Sequence, residues 1–525
     1  MSALVYDVVI VGSGNAGFCA AASAVESGAS RVLLLEKAPL AWAGGNSTFT
    51  AGAYRTVFRS LADVLPLVNN VPPNLTPQID MAPYTETDFL HDLQRVTNGR
   101  CDPQLAAALV GESRVTTKWL AQNGIKFQLS FKRQAYEIEG RWKFWGGMVL
   151  MVQDGGKGLT RQHQENARRK GVEVRYESPV VGLLCNDGGQ VTGVSVKGEN
   201  GKTYSVLARG GVVLCAGGFE ANPSMRAQYL GPGWDLAYVR GSPYNTGECL
   251  NMAISEVSAK SAGNWSGCHS TCWDANAPTD AGDQNLTNQF TKSGYPLGLM
   301  FNVNGRRFVD EGLDLRNYTY AKFGREILAQ EDGVAFQLWD AEGAKWLREE
   351  EYASDVVERI SADTLEDLAA KLIPKGLKSP TNLVESIREY NKAVQSHRKK
   401  HPELIFDPSK KDGLSTRCSA GGLQLDKTNW ALPIAKAPLL AVKVTCGVTF
   451  TFGGLKVVPK TSSVVSELTR KPIPGLYAAG EMVGGLFYGN YPGGSGLTSG
   501  AVFGRQAGRS AAQRATELKS TRAVL

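Results

Sequence analysis

The chain has 525 residues, too many for one hydrophobic core, so two or more domains are expected. Hydrophobic residues make up 42% and charged residues 20%, the balance of a globular protein. The 57 basic and 50 acidic residues leave +7 with no long basic run, which argues against nucleic-acid binding, and no apolar run is long enough to span a bilayer.

Residues 5–12 read as a buried parallel strand that runs into Gly12-Ser13-Gly14-Asn15-Ala16-Gly17 and then an alanine-rich helix ending near Gly28. A second strand, residues 31–35, ends at Glu36-Lys37. Strand, Gly-x-Gly-x-x-Gly, helix, strand and acid at this spacing predict a dinucleotide site. Gly12 permits the turn, Gly14 lets the backbone approach a diphosphate, Gly17 lets helix and strand pack, and Glu36 receives ribose hydroxyls. Next come a second glycine loop, Gly44-Gly45-Asn46-Ser47, and a helix over residues 158–171. Residues 172–176, 180–185, 191–196 and 204–208 read as a small β-meander, and a separate strand over 211–215 ends in Ala216-Gly217-Gly218. From about 264 to 451 the texture changes to tryptophans, asparagines and charged helices, including one over 382–397, as in an inserted domain. The chain then returns through 475–480 to a glycine-rich stretch and a final helix over 498–517. So many glycines after one strand suit a backbone pressed against a flat cofactor.

The nine cysteines are dispersed, with no CxxC pair, which suits a reducing compartment. Cys268 and Cys272 flank His269 without a further ligand nearby, so no metal site is expected. The first strand begins by Val5, so the expectation is no leader segment and a cytoplasmic enzyme.

Together Gly12–Gly17, Glu36-Lys37, Gly44–Ser47, Ala216–Gly218, Asn245-Thr246-Gly247, residues 304–311 and Ala478-Ala479-Gly480-Glu481 resemble the flavoprotein family of fumarate reductase and succinate dehydrogenase, over nearly the whole chain. Residues 316–322 and 490–497 look most like the tricarballylate dehydrogenase subgroup, and Tyr491-Pro492-Gly493 is also similar to 3-ketosteroid Δ1-dehydrogenases.

The resemblance implies an α/β architecture: a Rossmann-like FAD-binding domain with a β-meander (residues 1–263 and 452–525), interrupted by an inserted α+β capping domain (264–451). It implies FAD held by Gly12, Ser13, Gly14, Asn15, Ala16, Gly17, Glu36, Lys37, Gly44, Gly45, Asn46, Ser47, Gly52, Val181, Ala216, Gly217, Asn245, Thr246, Gly247, Glu481, Ser495, Gly496 and Leu497. Glu481 is to bind the ribityl chain, and the N–H groups of Gly496 and Leu497 to meet negative charge on the ring. Members with covalent flavin use a histidine beside the second glycine loop; residues 46–52 contain none, so non-covalent FAD is expected.

The implied catalytic residues are Arg316 as proton donor, His269 as a substrate-binding group and Tyr491 as a hydroxyl donor or base. The family's Gly-Val-His-His-Thr segment is here Gly447-Val448-Thr449-Phe450-Thr451. Tyr491 replaces the carboxylate-clamping arginine, and residues 291–294, Thr-Lys-Ser-Gly, show no acid–arginine relay. The expected activity is desaturation of a CH–CH bond, or reduction of the matching C=C bond, on an activated substrate, a polycarboxylate such as tricarballylate being favoured. The alternatives are a ketone, steroid-like or secondary-metabolite substrate and, from another class, a non-catalytic flavin-binding module. No Cys-x-x-Cys-His motif is fused to the chain, so a separate electron donor or acceptor is expected.

Overall fold

The computed structural model describes residues 4–198, 200–417 and 423–524, the last four by backbone alone. The first sheet is built on Leu4–Val11, whose single charged residue is Asp7. An apolar run on both faces suits a strand covered on both sides, as in a parallel sheet. It pairs in parallel with Val32–Leu35 on one side and Thr203–Leu214 on the other. Pro472–Ala478 joins beyond Thr203–Leu214, and Glu173–Arg175 lies outside Val32–Leu35. The strands Val180–Cys185 and Val191–Lys197 form an antiparallel meander with the first half of Thr203–Leu214.

Three expectations change. Residues 204–208 and 211–215 are not separate strands but one, Thr203–Leu214. Gly210-Gly211 marks close contact rather than a turn. A Cβ on Gly210 would lie 2.0 Å from the Ala511 carbonyl oxygen, and one on Gly211 2.2 Å from that of Gly475. Residues 173–175 belong to the parallel sheet rather than the meander. The final helix is longer than expected, Ser495–Val524.

That helix packs on the alanine-rich helix Asn15–Glu26, backbone against backbone. A Cβ on Gly504 would stand 2.4 Å from the Ala16 carbonyl oxygen, and one on Gly508 2.0 Å from that of Ala20. The two ends of the chain thus form one layer under the sheet.

The second sheet has Leu439–Leu455 as its spine. Along it run Ser261–Asp274, Ala335–Trp339 and Ile360–Ala362, all antiparallel, and Tyr238–Val239 in parallel, with Leu299–Asn302 beyond Ala335–Trp339. The divisions drawn at 263/264 and 451/452 both fall within the antiparallel pair Ser261–Asp274 and Leu439–Leu455. This pair leads from the second sheet to the carboxyl ends of the first, where Val11, Leu35, Cys215 and Gly480 border one cavity.

Candidate functional site: a cofactor cavity with an arginine-lined end

The cavity has a volume of about 540 Å³, within the range of small-molecule sites. Of the residues expected to hold a cofactor, Gly12, Ser13, Gly14, Asn15, Ala16, Glu36, Lys37, Gly45, Asn46, Ser47, Val181, Ala216, Gly217, Asn245, Glu481, Gly496 and Leu497 line it. The others stand behind the wall. Gly17 and Gly52 have no room for a side chain: a Cβ would meet the Gly12 carbonyl oxygen at 1.9 Å or Gly155 at 2.9 Å. Gly44 packs on Thr48 and Thr160, and Gly247 on Met225. Thr246 accepts a hydrogen bond from Lys37 Nζ at 2.7 Å, and Ser495 donates to the Pro492 carbonyl at 2.5 Å.

Glu36 is buried and accepts from Ser13 N at 2.9 Å, Ser13 Oγ at 2.7 Å and Ala38 N at 2.8 Å. It therefore fixes the glycine turn as well as facing the cavity; a carboxylate has about four acceptor sites, which leaves capacity for a ribose hydroxyl. Gly14 gives the following helix no side-chain cap, so its positive end is left to an anion. At the other end, Gly496 and Leu497 lie in the first turn of the last helix, whose N–H groups likewise meet the cavity. Two helix N-termini, a buried acid facing the cavity and a glycine-lined wall fit an extended dinucleotide such as FAD.

The junction of the turns is held by Glu220, which the sequence reading missed. Its Oε1 accepts from the Asn46 and Asn245 side-chain amides, the latter at 2.5 Å. Asn46 also donates to the Thr449 carbonyl and accepts from Ser242 N at 2.7 Å. Glu481 accepts from Thr451 N at 2.6 Å and Oγ1 at 3.0 Å. Burial pushes the Glu220 carboxyl up to about 7, and burial together with the Glu220 charge pushes Glu481 well above the usual range. Each carboxyl lies close enough to influence the other, and both are shifted toward the protonated form.

Beyond the glycine loops the wall becomes cationic and aromatic, with Arg133, Arg240, Arg316, Tyr320, Phe450 and Tyr491. Arg316 Nη1 donates to Ser293 Oγ at 3.2 Å, and Nη2 donates to the Arg133 carbonyl. Ser293 donates from Oγ to Glu351 Oε2 at 2.6 Å. Glu351 also receives Arg348 Nη1 at 3.2 Å and faces Arg133 Nη1 at 3.6 Å. Enclosure away from water pulls the Arg316 guanidinium below its ordinary value, against the opposing pull of Glu351. An acid–arginine network therefore exists, but its acid comes from Glu349–Tyr352 rather than residues 291–294.

Tyr491 and Tyr320 share a hydrogen bond between their hydroxyls. Burial, reinforced by Tyr320, raises the Tyr491 phenol well above its usual value, so it stays protonated. His269 does not line the cavity. Its ring packs behind, with centroids 4.9 Å from Tyr320, 5.2 Å from Tyr491 and 5.8 Å from Phe450, and its Nδ1 has no partner among the described residues. Desolvation, then Arg240, holds it well below the usual histidine range and therefore neutral.

Cys268 and Cys272 are both buried, and among the described residues no cluster of three potential ligands could hold a metal ion. No helix among them is long and apolar enough to cross a membrane.

Known proteins resemble this chain in sequence and in fold. A probable fumarate reductase of Shewanella frigidimarina is 28% identical over 514 residues, covering 97% of this chain and 75% of its own. The open conformation of a flavocytochrome c3 fumarate reductase superposes with a TM-score of 0.69 at 26% identity, covering 98% of this chain and 79% of that one. A 3-ketosteroid Δ1-dehydrogenase from Sterolibacterium denitrificans gives 0.71 at 21% identity, over 97% and 99% of the two chains, a likeness of fold. Residues 7–497 match the FAD binding domain family. The chain belongs to that family, and it is an FAD-binding oxidoreductase.

Proposed function

We propose that the enzyme acts on a CH–CH bond beside a carboxylate, desaturating it or reducing the corresponding C=C bond, with a polycarboxylate such as tricarballylate as the leading substrate. Arg316 carries this reading, because it stands in the arginine-lined end of the cavity with a hydrogen-bonded route behind it. When bound, FAD supplies the two-electron chemistry at the substrate carbon. The strands of the second sheet act as a cap over the cofactor. Arg316 handles the proton on the neighbouring carbon. In the reducing direction it gives up a proton from Nη and regains one through Ser293 from Glu351; in desaturation the proton moves the other way. Glu351 exchanges protons through Arg133 with Glu350, whose side chain is 37% exposed. Tyr320 and Tyr491 hold a substrate oxygen, and His269 props both rings from behind. A separate carrier brings or removes electrons.

A second reading, an enone or cyclic ketone, draws on the two paired phenols and on the apolar wall of Phe450, Phe452 and Phe487. The test is anaerobic photoreduction of the purified flavoprotein, followed by addition of unsaturated mono-, di- and tricarboxylic acids and, separately, of enones. Reoxidation by acids is expected. Reoxidation by enones alone would replace the acid reading with the second one, and no reoxidation by either set, with no bleaching of oxidised flavin by the saturated partners, would overturn both.

A further inference from the structure

Arg240 follows the short strand Tyr238–Val239, borders the cavity and is only 5% exposed. Its main-chain N donates to the Val448 carbonyl at 2.8 Å, which pins it to the spine of the second sheet. Nη1 donates to Thr449 Oγ1 at 2.6 Å, Nη2 donates to Asn288 Oδ1, and the guanidinium lies 5.5 Å from the Trp273 ring centroid. All of these partners are neutral, and Nε has none among the described residues.

Other buried arginines of this protein are compensated. Arg55 meets Asp92, and Arg307 meets Glu311. Arg226 has no carboxylate but is wrapped by the carbonyls of Glu220, Trp234, Asp235 and Ala237. Arg240 has neither kind of compensation. A buried charge without a partner is costly, and here the open side of the charge is the cavity.

The surrounding balance agrees. At this end Arg133 and Arg348 pair with the carboxylates of Glu350 and Glu351, while Arg316 and Arg240 border the cavity without a direct carboxylate partner. Two positive charges are left over, one at Arg316 and one at Arg240. At position 491, where the family resemblance calls for a carboxylate-clamping arginine, the chain has tyrosine.

We propose that Arg240, with Thr449 and Asn288 as its braces, is the specificity-determining seat of a second anionic group on the substrate, so that the substrate carries at least two carboxylates. The inference rests on the acid reading of the site. It places the clamp on the strand that enters the Asn245 loop rather than on the loop carrying Tyr491.

The test uses the FAD-loaded enzyme with its flavin held reduced, so that the saturated acids succinate and propane-1,2,3-tricarboxylate bind without being oxidised, with binding read from the perturbed flavin spectrum. Arg240→Gln should keep its FAD and lose affinity for both acids on the order of a hundredfold, the usual consequence of removing one partner of an enclosed charge pair. Arg240→Lys should recover part of the loss. Thermal melting supplies a readout that a purely structural role would not give. Without acid, Arg240→Gln should melt no lower than the wild type, because an uncompensated charge has been removed. Succinate should raise the wild-type melting temperature and leave that of the variant unchanged. Equal affinities in wild type and variant, or a variant that melts lower yet is still stabilised by succinate, would overturn the role of Arg240. If the wild type itself binds neither acid while an enone perturbs its flavin, the acid reading fails first and takes this inference with it.

Discussion

The side-chain amide of Asn15 donates to the main-chain carbonyl of Leu497 at 2.8 Å, across 482 positions of sequence. It joins the turn after the first strand to the first turn of the last helix. The Asn15 side-chain oxygen Oδ1 also accepts from the Tyr54 hydroxyl at 2.6 Å and meets His163 Nε2 at 3.0 Å. Asn15→Ala would strand three polar groups, each costing about 1–3 kcal/mol where buried. The variant should melt lower and bind FAD more weakly than the wild type, as read by flavin fluorescence on titrating the apoprotein. Unchanged FAD affinity would show that the two turns hold their places without this bond.

No histidine is among the described residues that line the cavity, since His163 and His269 both stand behind its wall. Acid or heat should therefore release intact FAD into the supernatant. Flavin that remains with the denatured polypeptide would refute non-covalent binding.

Arg316→Ala should keep FAD and lose turnover by roughly a hundred- to ten-thousandfold, the usual worth of acid–base help. Glu351→Gln should leave Arg316 in place but remove the charge behind it. Turnover should fall and its pH profile should change, with FAD content unaltered. A Glu351→Gln enzyme with the wild-type profile would take Glu351 out of the proton route.

Tyr491→Phe keeps the ring that packs on His269 and Phe450 and removes only the hydroxyl shared with Tyr320. The loss of a hydrogen-bond donor to developing negative charge costs roughly a hundred- to a thousandfold in turnover number, by comparison with oxyanion holes. FAD binding should not change. Full activity in the variant would reduce Tyr491 to a packing residue.

Glu220 gives a pH signature. Its carboxyl is raised in the fold from the ordinary 4.5 to about 7, so between these values the folded protein holds a proton that the unfolded chain releases. Its contribution is fully present below about 4.5 and is lost as the pH rises through about 7. His163 acts with the opposite sign. Burial lowers it from 6.5 to about 3, so its contribution is present above 6.5 and is lost as the pH falls through about 3. The difference between wild type and Glu220→Gln isolates the first effect. The melting temperature of the wild-type apoprotein relative to that of the variant should fall from pH 5 to pH 7.5, and parallel curves would refute the raised Glu220 carboxyl.

The cofactor half of the site was legible because its physics is local. A strand, a glycine turn and a helix N-terminus follow one another directly along the chain. The fold class followed from the same runs, although Gly210-Gly211 read as a break, because close approach to Ala511 and Gly475 cannot be seen in neighbouring sequence. The substrate end was less readable because its charges are compensated at long range. Arg133 sits beside Lys132 in a basic pair, and Glu351 in a run of acids that reads as solvated surface; each is buried by the other's side of the fold. Arg240 stands five residues before the recognised Asn245 motif, but only the lack of a carboxylate partner in three dimensions distinguishes it from an ordinary arginine.

The bond between Asn15 and Leu497 also sets an order of events during synthesis. The diphosphate turn leaves the ribosome before the helix that completes the other wall, which follows 482 positions later. At ordinary elongation rates that interval is roughly half a minute to a minute and a half. During it Thr203–Leu214 lacks its parallel neighbour Pro472–Ala478, and the alanine-rich helix has nothing against its glycine-facing side. Flavin therefore cannot be gripped from both ends by a nascent chain. Its loading reports that the last strand and last helix have docked, so the holoenzyme's colour serves as a mark of a completed fold.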